Sequence, residues 1–157
     1  MSIAAVREYL APFGLADKVL EFSTSSATVE LAAQAARVIP ARIAKSLTFR
    51  VGDKAVILVT AGDAKVDNAK FKAAFHTKAK MLSPEEVVQL VGHAVGGVCP
   101  FAIKETAEVY LDVSMKRFPT IFPAAGSANS AVELTCDQLE QAAQNFQGWG
   151  DFCKGWA

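Results

Sequence analysis

Residues 42–51 read RIAKSLTFRV, and residues 54–61 read KAVILVTA. Both are rich in apolar and β-branched residues, and the dipeptide Gly52-Asp53 between them suits a tight turn. Two such runs about such a turn predict a β-hairpin. Side chains alternate between the two faces of a strand. The ammonium group of Lys45 therefore lies on the same face of the first run as its apolar side chains.

The rest of the chain alternates helical and extended patterns. Helices are predicted over residues 2–11, 28–39, 67–76, 83–92 and 135–146, and strands over residues 18–22, 108–113, 120–125 and 130–134. Two of the helices begin with capping boxes, Ser83 with Glu86 and Thr135 with Gln138. No repeat or long linker interrupts the pattern. The prediction is one α+β domain over residues 1–157, with a mixed or mainly antiparallel sheet.

Composition sets limits on the function. The chain has 157 residues, of which 52% are hydrophobic and 20% charged, as is typical of a globular protein. Its formal net charge is zero, so a nucleic acid would have to meet a local basic patch. The charges of Arg7 and Glu8 argue against a signal peptide, and no run of about 18 apolar residues predicts a membrane span. A cytoplasmic protein without a membrane partner is expected.

The cysteines and histidines show no metal-binding pattern. Cys99, Cys136 and Cys153 are odd in number, widely spaced and form no CxxC pair. With only His76 and His93 beside them, neither a zinc site nor a disulfide framework is expected. A nucleophilic role for Cys99 would need a base close in space, and His93 is the obvious candidate along the sequence.

Lys45 admits two interpretations. In the first, its aliphatic stem lies along apolar surface while the ammonium reaches water. In the second, the ammonium stands at the mouth of a pocket whose floor is Leu47 and Phe49. A cation in that position would stabilise a bound phosphate or a developing oxyanion, and a low local dielectric would strengthen the contact.

Residues 92–103, GHAVGGVCPFAI, form a glycine-rich segment that contains a proline near its end. Glycines let the backbone approach a ligand closely, and Pro100 stiffens the exit. Such a loop can direct main-chain N–H groups at an anion or a carbonyl oxygen, although it can also be a plain connection. The GxxxxGK[ST] and GxGxxG patterns of nucleotide-binding loops are absent.

Two further features are consistent with either a site or ordinary surface. Residues 124–134, AAGSANSAVEL, contain a turn that could form a polar lip beside a pocket. Residues 65–80 carry five lysines against one aspartate. A lysine-rich helix face can simply be solvated or can follow a phosphate backbone. On the second interpretation, Arg50, Lys70 and Lys80 are the candidate contacts with a nucleic-acid backbone.

Three of these segments together resemble a known family. RIAKSLTFRV, GGVCPF and AAGSANSAVELTCDQLEQ stand in the order and spacing of the YbaK/EbsC-type domain, the editing domain associated with prolyl-tRNA synthetase. The resemblance extends from about Val19 to Gln141. It implies a compact fold in which helices surround a mixed, barrel-like sheet. It also implies a free-standing aminoacyl-tRNA deacylase that needs no metal or organic cofactor and binds the acceptor end of aminoacyl-tRNA, with a synthetase as a candidate second partner.

The resemblance also implies roles for residues. Lys45 matches the family's functional lysine, which faces the ester and the terminal phosphate region of the substrate. The family has a Gly-x-x-x-Pro loop, whose backbone would hold the terminal adenosine or the carbonyl oxygen. The residues that match this loop are Gly96, Gly97, Val98, Cys99 and Pro100. The residues Gly126, Ser127 and Asn129 match the last pocket-lining turn of the family.

Two departures leave the amino-acid preference open. Ser46, a candidate substrate contact, stands where prolyl-type editors often carry asparagine. Cys99 stands where serine is common in relatives. By analogy with the family, alanine or another small residue is the expected target.

The sequence offers no justified Ser-His-Asp set or carboxylate pair. The expected mechanism is therefore attack of water on the aminoacyl ester, with Lys45 and loop N–H groups stabilising the oxyanion. The proton would go to the vicinal ribose hydroxyl or to a substrate side chain. Two other functions stay open at this point: a non-catalytic module that holds aminoacyl-tRNA or a synthetase, and a small-molecule esterase or amidase.

Overall fold

The structure, a computed structural model, describes residues 2–156. The α-helices are α1 (Ile3–Leu10), α2 (Val29–Ala36), α3 (Asn68–Phe75), α4 (Pro84–Leu90) and α5 (Cys136–Ala142). The strands are β1 (Val19–Glu21), β2 (Ile43–Val51), β3 (Lys54–Ala61), β4 (Lys65–Val66), β5 (Ala107–Asp112), β6 (Phe122–Pro123), β7 (Ser130–Val132), β8 (Phe146–Gly150) and β9 (Cys153–Lys154). Short 3-10 helices cover Ala11–Phe13, Ala16–Lys18, Pro40–Arg42 and Val113–Arg117. No described helix is long and apolar enough to cross a membrane.

The predicted β-hairpin is confirmed. Strands β2 and β3 pair antiparallel from Ala44 opposite Ala61 to Val51 opposite Lys54, and Gly52 takes the left-handed conformation that the turn requires (φ 65°). Residues 55–61 of β3 are all buried, because helices and loops cover both faces of this strand. The hairpin is therefore the centre of the core.

The main sheet is mixed, as predicted, and it is curled into a half-barrel with the strand order β6-β2-β3-β5-β8. Within this sheet only β2 and β3 run antiparallel, and the other three pairings are parallel. The two small sheets, β1-β7 and β4-β9, are antiparallel. Helices α3 and α4 connect β3 to β5, and α5 precedes β8. Such helical crossovers return the chain in the same direction and so favour parallel neighbours.

The helices begin where the sequence predicts and end earlier. In α4 the Ser83 hydroxyl accepts a hydrogen bond from the Glu86 N–H at 3.2 Å, and the Glu86 carboxylate accepts one from the Ser83 N–H at 2.9 Å. Helix α2 ends before residue 37, which is left-handed (φ 60°), rather than at residue 39. Helix α5 ends at Ala142, and residue 146, predicted as its end, instead begins β8 beside β5.

The segment predicted as a strand over residues 120–125 is mostly not paired. Only Phe122 and Pro123 pair with β2, and Ile121 forms a single bridge with Leu134. Pro123 has no N–H to donate, and proline is found mainly at the ends or edges of sheets. The outer edge of β2 therefore loses its neighbour after Ala44.

Helix α4 depends on its cap. Replacing Ser83 with alanine removes the side-chain acceptor, and we expect the free energy of unfolding to fall by about 0.5–2 kcal/mol. Denaturant unfolding followed by circular dichroism measures the change. The control Ser23→Ala, at an exposed loop position, should change it by less than about 0.5 kcal/mol. An equal loss in both variants would contradict the role of the cap.

Candidate active site

A cavity of about 470 Å³ opens beside β2. This volume is within the range of about 300–1,000 Å³ that is typical of small-molecule sites. Its walls come from the start of α2, from α4 and the segment before it, from the glycine-rich loop, and from β6 and β7. The lining residues are Ser26, Ala27, Thr28, Val29, Ala32, Ile43, Ala44, Lys45, Ser46, Leu47, Thr48, Met81, Leu82, Pro84, Val87, Val95, Gly96, Val98, Phe122, Ala124, Ser130 and Ala131.

Lys45 lines this cavity and is half-buried. Its ammonium donates a hydrogen bond to the carbonyl oxygen of Ala64. Burial lowers the pKa of Lys45, and among the groups that oppose this shift are the thiol of Cys153 and the carboxylate of Asp63. An ammonium that is partly removed from water interacts more strongly with a bound negative charge than an exposed one does.

The predicted pocket floor is only partly correct. Leu47 lines the cavity together with Lys45. Phe49 does not line it, because its ring packs against Phe71 of α3, with ring centroids 4.9 Å apart. The apolar face of β2 is thus divided between the cavity and the core under α3.

The turn that receives the Lys45 ammonium is held firmly. Arg117 donates to both carboxylate oxygens of Asp63, at 3.0 and 2.6 Å, and to the carbonyl oxygen of Ser114 at 2.8 Å. Gly62 packs so closely against the carbonyl oxygen of Pro40 that a Cβ at this position would overlap it. The Ala64 carbonyl is therefore placed by contacts that do not involve the cavity.

The glycine-rich loop contributes two of its five predicted residues directly. Gly96 and Val98 line the cavity, whereas Gly97, Cys99 and Pro100 do not. Gly97 instead touches the turn at residues 126–127, since a Cβ on it would lie 2.8 Å from the Ser127 nitrogen. The structure thus brings two segments together that the sequence only suggested separately.

The polar turn lies beside the cavity rather than in its lining. Gly126 and Ser127 border a second cleft, which they share with the start of α1. Asn129 donates to the carbonyl oxygen of Phe22 at 3.2 Å. From this part of the chain, Ala124, Ser130 and Ala131 line the cavity instead.

Cys99 and His93 form a buried pair beneath the loop. The Cys99 sulfur lies 3.5 Å from Nε2 of His93, and that nitrogen is 2.7 Å from the carbonyl oxygen of Phe101. Burial raises the pKa of the Cys99 thiol to about 12, so it stays protonated at neutral pH. A buried, protonated thiol does not support a nucleophilic role. Within residues 2–156, no group of three or more His, Cys, Asp or Glu side chains could hold a metal ion.

The three candidate tRNA contacts differ in availability. Arg50 donates to the Glu86 carboxylate at 2.8 Å, and Lys70 donates to both carboxylate oxygens of Asp151, at 2.9 and 3.0 Å. Lys80 is exposed and directly precedes Met81, which lines the cavity. Of the three, Lys80 can meet a phosphate without giving up one of these ion pairs.

Sequence reasoning did not identify the cavity walls outside the motifs. Thr28, Met81 and Val87 reach the cavity from three separate elements, and none belongs to a polar motif. They meet through long-range packing, which leaves no local pattern in the sequence. Thr28 was recognisable only as the cap of a helix.

Comparison with known proteins identifies the family. Residues 24–142 match the aminoacyl-tRNA editing domain family. The chain belongs to this family. It is 52% identical over 157 residues to the uncharacterized protein YwhH of Bacillus subtilis (strain 168), covering 99% of each chain. The predicted resemblance to editing domains is confirmed.

Two further relatives have names that refer to the charging of prolyl-tRNA. The chain is 30% identical over 90 residues to the proline–tRNA ligase of Geobacillus sp. (strain WCH70), a match that covers 57% of this chain and 16% of the ligase. A crystal structure described as that of a proposed trans-editing enzyme for prolyl-tRNA synthetase has a TM-score of 0.86 and 28% identity. The match covers 98% of this chain and 97% of that chain.

The burial of Cys99 gives a testable expectation. Because its pKa is raised to about 12, iodoacetamide at pH 8 should leave Cys99 unmodified in the native protein and modify it after unfolding. Peptide mass spectrometry measures the modification. The half-buried Cys136 serves as an internal comparison that should react sooner. Rapid modification of native Cys99 would contradict the assigned environment.

Proposed function

We propose that this protein is a trans-editing hydrolase of the YbaK/EbsC type, which cleaves the ester of a mischarged aminoacyl-tRNA and releases a small amino acid. The observation that carries the proposal is the half-buried Lys45 ammonium at a cavity of about 470 Å³ in a member of the editing domain family. Gly96 and Val98 of the glycine-rich loop face the same cavity.

The proposed substrate is the acceptor end of tRNA for proline or a related tRNA. The similarity to proline–tRNA ligase supports this choice, and it also supports a synthetase as a second partner. A protein that acts on aminoacyl-tRNA would work in the cytoplasm. The cavity is larger than one small side chain requires, so it can hold the terminal nucleoside together with the amino acid.

In the proposed reaction, water attacks the carbonyl carbon of the aminoacyl ester. A new carbon–oxygen bond forms, the bond to the ribose oxygen breaks, and that oxygen takes up a proton. The vicinal ribose hydroxyl or a substrate side chain accepts the proton that the water gives up. Lys45 exchanges the Ala64 carbonyl for the developing oxyanion, and main-chain N–H groups of the loop assist it.

The cavity walls would select the amino acid by size. Val98, Ala124 and Ala131 present small or branched apolar side chains toward the substrate. One methylene in an apolar pocket is worth only about 1–3 kcal/mol, which is why a separate site for editing is useful. A correct, larger residue would be rejected by contact with these walls.

Lys45 provides the direct test of this proposal. On a panel of mischarged tRNAs, we expect the wild type to release one small amino acid and Lys45→Met to lose activity by about 100-fold or more, the usual effect of removing one oxyanion donor. Methionine keeps the length and apolar stem but removes the charge. Lys18→Ala, at an exposed position, is the matched control and should retain activity.

Each other outcome of that experiment has a clear meaning. Full activity of Lys45→Met would contradict the role of the lysine. No release from any tRNA, together with intact tRNA binding, would contradict the hydrolase and favour a non-catalytic binding module.

Lys80 tests the contact with tRNA. If this exposed lysine meets a phosphate, Lys80→Ala should weaken tRNA binding and reduce the slope of log affinity against log salt by about 0.7. Filter binding between about 50 and 200 mM salt measures the slope. Lys72→Ala, an exposed lysine on α3, is the comparison. Turnover that does not respond to salt would contradict the tRNA substrate and favour a small-molecule esterase.

A further inference from the structure

The outer edge of β2 has an interval without a neighbouring strand. Pairing with β6 ends at Ala44, opposite Pro123. Pairing resumes at Thr48, whose carbonyl oxygen accepts from the Leu82 N–H at 3.1 Å, and at Arg50, whose N–H donates to the Lys80 carbonyl oxygen at 2.9 Å. In the described part of the chain, no strand faces the interval between them.

The main-chain groups in this interval face the outer edge of β2, beside the cavity. Hydrogen-bonding directions alternate along a strand, so Ser46 presents its N–H and C=O to the same edge as Thr48 and Arg50. Ser46 and Thr48 both line the cavity. The Ser46 hydroxyl oxygen is itself buried and has no hydrogen-bond partner among residues 2–156. Buried polar groups are almost always paired, so a ligand with complementary groups is indicated.

The length of the interval limits what can occupy it. Four residue steps of about 3.3 Å separate Ala44 from Thr48, or about 13 Å in all. A peptide strand of the usual length would collide with β6 at one end and with the segment at residues 80–82 at the other. One amino-acid residue fits between them.

We propose that Ser46 binds the main-chain atoms of the substrate's aminoacyl group as a neighbouring strand would. The α-ammonium donates to the Ser46 carbonyl oxygen, and the ester carbonyl oxygen accepts from the Ser46 N–H. Together these two bonds reproduce a hydrogen-bonded residue pair of an antiparallel sheet. The inference rests on the proposed function. It adds that β2 binds atoms common to all α-amino acids, so that the walls of the cavity select the side chain.

Amide hydrogen exchange tests this arrangement directly. The probe is 3′-(L-alanylamino)-3′-deoxyadenosine, in which an amide replaces the ester. In the free protein we expect the Ser46 amide to exchange at least tenfold faster than that of Arg50, which has an acceptor. Saturating probe should slow exchange at Ser46 and leave Arg50 unchanged. Probe binding without slower exchange at Ser46 would overturn the inference.

Variants at Ser46 separate its main chain from its side chain. Ser46→Pro removes the N–H at the unpaired edge, where no ladder bond is lost, and should reduce deacylation more than Ser46→Ala, which keeps the N–H. Equal activities of the two variants would contradict the main-chain role. Circular dichroism checks that each variant folds.

A substrate pair gives a test that needs no variant. Lactyl-tRNA carries a hydroxyl in place of the ammonium of alanyl-tRNA. Relative to the uncatalysed rates, we expect the wild type to cleave it about tenfold more slowly or worse, since hydrogen bonds to charged groups are the stronger ones. Equal cleavage would overturn the inference while the hydrolase stands. If neither ester is cleaved and the probe does not bind, the proposed function fails as well.

Discussion

Strand β2 pairs with β3 along most of its length, but within residues 2–156 its other edge is occupied only near its two ends. Pro123 limits the pairing at one end because it lacks an N–H, and the segment before α4 takes the other end. Main-chain groups that neither pair nor meet water are costly to bury. The elements around this interval are therefore arranged beside it rather than over it, and the cavity is the result. The half-buried ammonium of Lys45 and the buried hydroxyl of Ser46 both lie beside this break in pairing.

The site lies at the edge of a strand, and this position explains how two neighbouring residues of the strand can both contribute to it. Lys45 and Ser46 point to opposite faces of β2, yet both line the cavity, because the cavity wraps around the unpaired edge. One short stretch thus supplies a cation, two main-chain polar groups and a hydroxyl. The cation rests on the Ala64 carbonyl, in a turn that the ion pair of Arg117 and Asp63 holds from outside. In the proposed function, this is the contact that Lys45 gives up for the ester oxygen.

The elements that could be predicted from the sequence are those that form through contacts between residues close together in the chain. The hairpin followed from two apolar runs about Gly52, and α4 followed from the reciprocal bonds of Ser83 and Glu86. Strand β8 could not be predicted, because residues 146–150 become a strand only through pairing with β5. At the site, the pattern of β2 identified Lys45. That Ser46 has no neighbouring strand in the described part of the chain depends on where β6 ends. That is a long-range property with no local signal.

A crystal structure of the protein with the amide-linked alanyl-adenosine probe would test most directly whether the unpaired interval of β2 is the binding site. We expect the alanyl group to lie between β2 and the loop residues Gly96 and Val98. Its nitrogen should lie within hydrogen-bond distance of the Ser46 carbonyl oxygen, and Lys45 should turn from Ala64 toward the probe. Density for the alanyl group in the second cleft, beside Ser127 and the start of α1, would contradict it.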